Sequence, residues 1–305
     1  MRRRIFLALL LACVTPCAIA ANSLRLATWN LEWLLNPETA RDLRVRCQRG
    51  ERQRLPCDVV QGARSEADWL ALRRHAARLD ADVIALQEVE DAVAAERVFR
   101  GYAFCFTARR DRQNVGFAIR RGIPFRCEPD LVPLSVRDRV RRGAVITLYP
   151  DDVREMRLLS VHLKSGCSRD PLDAPAASCR TLARQAPILA NWIDAEVAAG
   201  RAYGILGDFN RDLRGDASMS NGLWATLSDG RPKPERLRDA ASGTRFVACH
   251  PGQSFTRYID YVLLGGPLAD RQVANSVVRH VFDPAEARRR HLSDHCPLSV
   301  RVNLR

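Results

Sequence analysis

The sequence predicts an α/β fold in which two β-sheets pack on each other and helices flank them. Three observations carry this. Strand-like apolar runs recur along the 305 residues, while only two or three stretches show helical periodicity. The run Val83-Ile84-Ala85-Leu86 is apolar on both parities, so its strand is covered on both faces; Leu298, Val300, Val302 and Leu304 alternate with polar residues and leave one face wet. No linker, repeat or low-complexity run divides the chain, although its length would admit two domains.

The first twenty residues stand apart. Arg2, Arg3 and Arg4 precede the short apolar run Ile5 to Val14, and Ala18-Ile19-Ala20 supplies a small-x-small cleavage pattern. This reads as a secretory signal peptide cut before Ala21, leaving one domain over 21–305. No later run reaches the roughly 18 apolar residues of a membrane span. Export places the protein in the periplasm or outside the cell, and no partner surface stands out, so a monomer is expected. Removing the leader takes three of the 48 basic residues and none of the 35 acids, which leaves a formal charge of +10. Cys13 and Cys17 leave with it, and eight of the ten cysteines remain.

In the exported chain strands are expected at Leu24–Asn30, Val83–Gln87, Val115–Ile119, Ala144–Tyr149, Arg157–Leu163, Tyr203–Leu206, Arg257–Leu264 and Leu298–Leu304. Residues 65–79 read as a helix: Ser65 can cap it, and Trp69, Leu72, Ala76 and Leu79 form one stripe. A second helix covers roughly 180–199, with Pro187 either kinking it or marking its start. Segments 44–64, 107–114, 137–142 and 165–179 read as loops. Two of them are arginine-rich, with Arg109, Arg110 and Arg112 in one and Arg137, Arg139, Arg141 and Arg142 in the other. Such runs are commonly solvated surface.

Eight cysteines in an oxidising compartment predict disulfides, and no C-x-x-C spacing points to zinc or redox chemistry. Cys47 with Cys57 and Cys167 with Cys179 would each staple one loop, stabilising by about 3 kcal/mol in a chain-entropy account. The other four allow three pairings, of which Cys105–Cys127 and Cys249–Cys296 are taken forward. Lys164 and Lys233 are the only lysines, so the positive charge is nearly all arginine. A GC-rich genome yields the same skew. The surplus of positive charge is the better sign of a polyanionic partner.

Polar groups cluster where apolar strands end. GILGDFN places Asp208 and Asn210 after Ile205-Leu206; TWNLEW places Asn30 and Glu32; VIALQEVE places Glu88; LLSVHLKSG carries His162 in the middle of an otherwise apolar strand, then Lys164; YIDYVLL places Asp260 between Ile259 and Tyr261; HLSDHCPL places Asp294 and His295 just before the last strand. Singly, each has an ordinary use as a turn residue, a cap, a core histidine or an ion-pair partner. Together they form a set of acids beside apolar strands, and an isolated carboxylate there costs several kcal/mol unless it is paired or binds a metal. Convergence on one cation satisfies them all. Carboxylate and carboxamide oxygens select Mg²⁺, Mn²⁺ or Ca²⁺, and such a cation beside an acid–base pair is suited to phosphoryl transfer.

These six motifs, in this order, resemble the endonuclease/exonuclease/phosphatase superfamily, which includes pancreatic-type deoxyribonuclease, and the match runs from about residue 24 to 305. The resemblance implies a four-layer αββα sandwich of two mixed sheets, with the site at one end of both. It also implies roles. Asn30, Glu88 and Asp294 stand on the metal side, with Mg²⁺ the implied cation. Asp208 orients or deprotonates the attacking water, and Asn210 holds that water or the phosphate. His295 contacts phosphate and gives its other ring proton to Asp260, while His162 lies near the leaving oxygen. Some relatives hold the histidine matching His162 with a glutamate, and the region around Asn114 and Gly116 offers no acid for this. Lys164, Arg139 and Arg141 are candidate contacts to substrate phosphate.

The superfamily spans DNA and RNA nucleases, sphingomyelin phosphodiesterases and phosphoinositide phosphatases. Export, positive charge and Arg-rich loops favour a nuclease, and HLKSG ahead of a cysteine loop resembles bacterial secreted nucleases. A lipid or small-molecule phosphoesterase is the alternative, though the candidate loops lack the aromatic groups a membrane contact would use. A non-catalytic binding protein on this fold is the alternative of another class; a substituted site residue would mark it, and none is seen. DNA versus RNA and endo- versus exonucleolytic cleavage stay open at this level.

Overall fold

The computed structural model describes residues 22–305, except 52–56, 58–62 and 110. The expected leader, its expected cleavage before Ala21 and Arg110 therefore lie outside the described residues. Two six-stranded mixed sheets make up the core. The first contains β1 (Ser23–Leu34), β2 (Val83–Val89), β3 (Tyr102–Phe106) and β4 (Asn114–Arg120), with β11 (Val278–Arg279) and β12 (Leu298–Asn303), in the order β11-β12-β1-β2-β4-β3. The second contains β5 (Phe125–Cys127), β6 (Ala144–Leu148), β7 (Met156–His162) and β8 (Tyr203–Asp208), with β9 (Arg238–Asp239) and β10 (Asp260–Gly265), in the order β5-β6-β7-β8-β10-β9. The longer helices are α1 (Pro37–Gln48), α2 (Glu66–Leu79) and α3 (Ala177–Ala198).

Strand alternation builds the layers. Leu24 and Leu26 of β1, Val83 and Ala85 of β2, and Leu158 of β7 belong to one core cluster that also holds Leu182, Leu189 and Ile193 of α3. Ala27, Trp29, Ile84 and Leu86, on the opposite parity, pack with Trp69, Leu72 and Leu79 of α2. The layer order is therefore α2, first sheet, second sheet, α3. Helix α2 starts with a full capping box, in which Ser65 and Asp68 satisfy each other's backbone N–H groups. Between the sheets, Thr28 Oγ1 donates to Gln87 Oε1 at 3.0 Å, and Gln87 Nε2 donates to Ser160 Oγ at 3.2 Å, so a buried polar rung joins the two sheets.

Several boundaries differ from the sequence expectation. Helix α3 begins ten residues before Pro187, so that proline does not mark its start. Burial of leucines on both sides of it against the second sheet outweighs the ~3 kcal/mol that an interior proline costs. Residues 177–179, read as loop, are its first turn, and residues 44–48 end α1, which was not foreseen. Strands β3, β5, β9 and β11 were also missed; β5, β9 and β11 are two or three residues long. Arg257, Tyr258 and Ile259 precede β10 rather than belonging to it, so Asp260 opens that strand. His162 closes β7 instead of sitting inside it. All four expected disulfides are present: Cys47–Cys57, Cys105–Cys127, Cys167–Cys179 and Cys249–Cys296. Among the described residues, no helix is long and apolar enough to cross a membrane.

Candidate active site

The second sheet contributes a row of three groups. Pairing sets His162 beside Asp208 and Asp208 beside Asp260, so these side chains share one face across β7, β8 and β10. Ser160, two residues before His162, reaches Gln87 of the first sheet, so that face is the one between the sheets. Gly207 makes the row possible: its φ is 153°, and a Cβ there would lie 2.0 Å from the Val161 carbonyl oxygen.

The first sheet supplies the facing groups. Asn30 has the parity of Leu24, Leu26 and Thr28 and so points between the sheets. Glu88 follows Gln87 and by simple alternation would face α2. Its φ of 58° and a register shift between Gln87 and Val89 break the alternation and turn it into the site. Asn30 Nδ2 donates to Asp208 Oδ2 at 3.1 Å and lies 3.3 Å from Glu88 Oε1, while its Oδ1 accepts from Glu32 N at 3.0 Å. Glu88 Oε2 accepts from Trp33 N at 3.2 Å and from Gln113 Nε2 at 2.7 Å.

His295 completes the cluster from the segment before β12. Its Nδ1 lies 2.8 and 2.9 Å from the two Asp260 oxygens, and its Nε2 lies 3.9 Å from Asp208 Oδ2 and 3.8 Å from Asp294 Oδ1. Asp294 is about half exposed at the rim, and its N–H donates to Glu32 Oε2 at 3.1 Å. Burial alone would drive the His295 proton off, but Asp260, Asp208 and Asp294 raise its pKa to about 10. Asp208 is pushed up to about 7, first by burial and then by Asp260, against the pull of His295. His162 is held well below the usual histidine range by burial and by Arg141, His295 and Lys164. The two imidazoles are therefore shifted in opposite directions, His295 towards holding its proton and His162 towards losing it.

The donor set fits a hard divalent cation. Glu32, Glu88, Asp208, Asp260 and Asp294 crowd one end of the sheets, and Asp208, Asp260 and His295 offer ligand atoms within 4.8 Å of one another. The profile of the Endonuclease/Exonuclease/phosphatase family matches residues 27–295.

The chain belongs to that family.

Solved structures show the same fold at low identity. TDP2 from Caenorhabditis elegans has 13% identity and a TM-score of 0.58, covering 92% of this chain and 74% of that one. A 3′ phosphatase from Neisseria, NExo, bound to a product DNA hairpin, has 16% identity and a TM-score of 0.55, covering 92% and 99%. An AP endonuclease from Archaeoglobus fulgidus has 14% identity and a TM-score of 0.54, covering 91% and 98%. No curated protein sequence matches the chain.

The structure of this endonuclease/exonuclease/phosphatase family member places the remaining candidates unequally. Asn210, at φ 52°, donates its backbone N–H to Asp208 Oδ1 at 2.7 Å and its Nδ2 to Asp208 Oδ2 at 3.1 Å and Leu163 O at 3.2 Å. Arg141 is drawn inward: its Nη2 donates to Leu163 O at 3.2 Å, its Nε is buried without a partner, and Glu88 and Asp208 act on its charge. Lys164 is half-buried beside Arg141, which lowers its pKa after burial does. Arg139 is exposed, and among the described residues no hydrogen bond joins its side chain to the cluster. Arg109 pairs with Asp111, and Arg142 with Asp130 and Asp138, so part of the Arg-rich charge is neutralised locally. The acids nearest His162 are Asp208 and Glu88, at 3.5 and 3.6 Å from its Nε2, and its buried Nδ1 has no partner among the described residues. Sequence reasoning missed Gln113, which holds Glu88, and Ser293, whose Oγ donates to Asn30 O at 2.7 Å and accepts from His295 N at 3.1 Å. The adjacency of Ser293 to the Asp294-His295 pair was the available signal for the second; Gln113 had none.

Proposed function

We propose that this chain is an exported, divalent-cation-dependent phosphodiesterase acting on nucleic acid. The observation that carries the reading is the juxtaposition of a buried His295–Asp260 pair, 2.8 Å apart, with Asp208 and the acids on the opposing sheet. Glu88 and Asp294 are suited to hold Mg²⁺, with Mn²⁺ or Ca²⁺ as substitutes, and Asn30 braces Glu88 against Asp208. The cation, when bound, neutralises phosphate charge and polarises the phosphorus–oxygen bonds.

This chain's residues then supply the proton chemistry. Asp208, with its raised pKa, orients a water and takes its proton as that water attacks phosphorus in line. Asn210 keeps the Asp208 carboxylate aimed. His295, held as imidazolium by Asp260, donates from Nε2 to a non-bridging phosphate oxygen and stabilises charge that builds in the transition state. His162, neutral and buried, stands near the leaving oxygen. Arg141 and Lys164 add positive charge next to it. The bond that breaks joins phosphorus to that oxygen, which leaves as an alkoxide and takes its proton from water.

Four disulfides support export, as does the leader-like pattern in residues 1–20. The net positive charge and the DNA-bound structural neighbour favour nucleic acid over lipid. An activity panel tests this: plasmid DNA, RNA, sphingomyelin and an aryl phosphodiester offered to purified protein with Mg²⁺. Cleavage of DNA or RNA well above sphingomyelin supports the nuclease; preferential sphingomyelin hydrolysis replaces it with the lipid phosphodiesterase.

A further inference from the structure

Behind the acidic half of the site lies an arginine that no step above uses. Arg64 spends its guanidinium on five main-chain carbonyls. Nη1 donates to Glu32 O at 3.1 Å and Trp33 O at 3.2 Å, Nη2 to Leu31 O at 2.8 Å and Leu292 O at 2.6 Å, and Nε to His291 O at 3.2 Å. Residues 31–33 form the irregular end of β1, just past Asn30. Residues 291–292 lead directly into Ser293, Asp294 and His295. Arg64 thus ties together two segments more than 250 positions apart in sequence, and both carry site groups.

The tied segment is strained. Glu32 and Trp33 have φ of 44° and 52°, in the left-handed region, which costs a non-glycine residue about 1 kcal/mol or more. What the strained turn produces is the arrangement of the acids. It aims Trp33 N at Glu88 Oε2 (3.2 Å), Glu32 N at Asn30 Oδ1 (3.0 Å), and Glu32 Oε2 at Asp294 N (3.1 Å). Asp68 of the α2 capping box joins the same device by accepting from His291 N at 3.2 Å. The guanidinium charge also acts on Glu32, Asp294 and Glu88 and offsets their mutual repulsion. A lysine has three donors on a point charge and cannot meet carbonyls spread around a planar fork.

We propose that Arg64 is a positioning residue for the cation side of the site: it clamps turn 31–33 against segment 291–292 so that Glu32, Glu88 and Asp294 converge. The inference rests on the cation-dependent reading above.

The test is direct Mn²⁺ binding by electron paramagnetic resonance, without substrate, on the full exported chain and on Arg64→Lys and Arg64→Met. It is paired with kcat and KM on an aryl phosphodiester. Arg157→Met controls for lost stability, because it removes a 2.8 Å ion pair with Glu196 at the opposite end of β7. The Arg64 variants should bind Mn²⁺ about 10–100-fold more weakly and lose kcat, with KM for the diester near wild type. Arg157→Met should lower Tm and leave Mn²⁺ affinity unchanged. A folded Arg64→Met with wild-type Mn²⁺ affinity overturns the inference, as does an equal loss of affinity in Arg157→Met. If neither Arg64 variant folds with four disulfides, Arg64 serves stability and the inference falls. A wild type that binds no Mn²⁺ and hydrolyses no diester removes the cation-dependent reading itself, an outcome distinct from unaffected variants of an active enzyme.

Discussion

Asp208 and His295 divide one problem between them. Both are buried, and each charge is tolerable because the other is near: His295 Nε2 and Asp208 Oδ2 are 3.9 Å apart, and Asp260 holds the far side of the imidazole at 2.8 Å. Asp208→Asn keeps the shape and the contact with Asn30 but cannot accept a proton. His295→Ala removes the cation that Asp260 and Asp208 both face. Each change should lower kcat by about 10²–10⁴, the range for a lost acid or base, while circular dichroism shows an intact fold. Wild-type turnover in either variant would mean that other residues perform the proton transfer.

At the level of elements, the pattern of apolar runs marked most of the strands because both sheets are covered, and their central strands read as continuous hydrophobic stretches. The site residues were visible for the same reason: Asp208 and Glu88 stand out against Ile205-Leu206 and Val83-Leu86. Their orientation was not visible. Glu88 reaches the site through a left-handed backbone conformation, and no residue type at that position announces it. The short edge strands were hidden because two or three residues carry too little alternation, and α1 because its charged sequence buries only Ala40, Leu43 and Cys47. Gln113 and Arg64 were hidden because each acts on a group far away in sequence. One edge element carries a pH response. His280 follows β11 and places its Nε2 2.9 Å from Ser299 Oγ on β12. Burial, with Arg25 and His75 nearby, lowers its pKa to about 4. Between the ordinary value of about 6.5 and 4 the unfolded chain takes up a proton that the folded chain refuses. Stability from this group is therefore complete above about pH 6.5 and is lost as pH falls towards 4. Thermal melts across that window should show a falling Tm, and His280→Gln should flatten the fall; identical pH slopes in both proteins would remove His280 as its source.

Across the whole molecule, the four layers bring two sheet ends together, the Cys105–Cys127 disulfide joins β3 of the first sheet to β5 of the second, and the groups that face each other come from strands far apart in the chain. Around this end the surface charge is uneven. Arg109 and Arg142 are neutralised by their own neighbours, while Arg137 and Arg139 stay exposed. If those two contact polymer phosphates, each contributes a slope of about −0.9 in log affinity per log salt, so together they cost about tenfold between roughly 50 and 200 mM. Replacing both with alanine should flatten the salt dependence of DNA binding and leave aryl phosphodiester turnover unchanged; coincident salt slopes before and after would make them solvated surface only. The proposed function is hydrolysis of phosphodiesters at this end of the sheets with a divalent cation. Its most direct measurement is DNA hydrolysis by the purified chain after exhaustive chelation with EDTA and again after Mg²⁺ is restored. Activity should disappear with EDTA and return with Mg²⁺; full hydrolysis in the chelated protein would show that no cation is required.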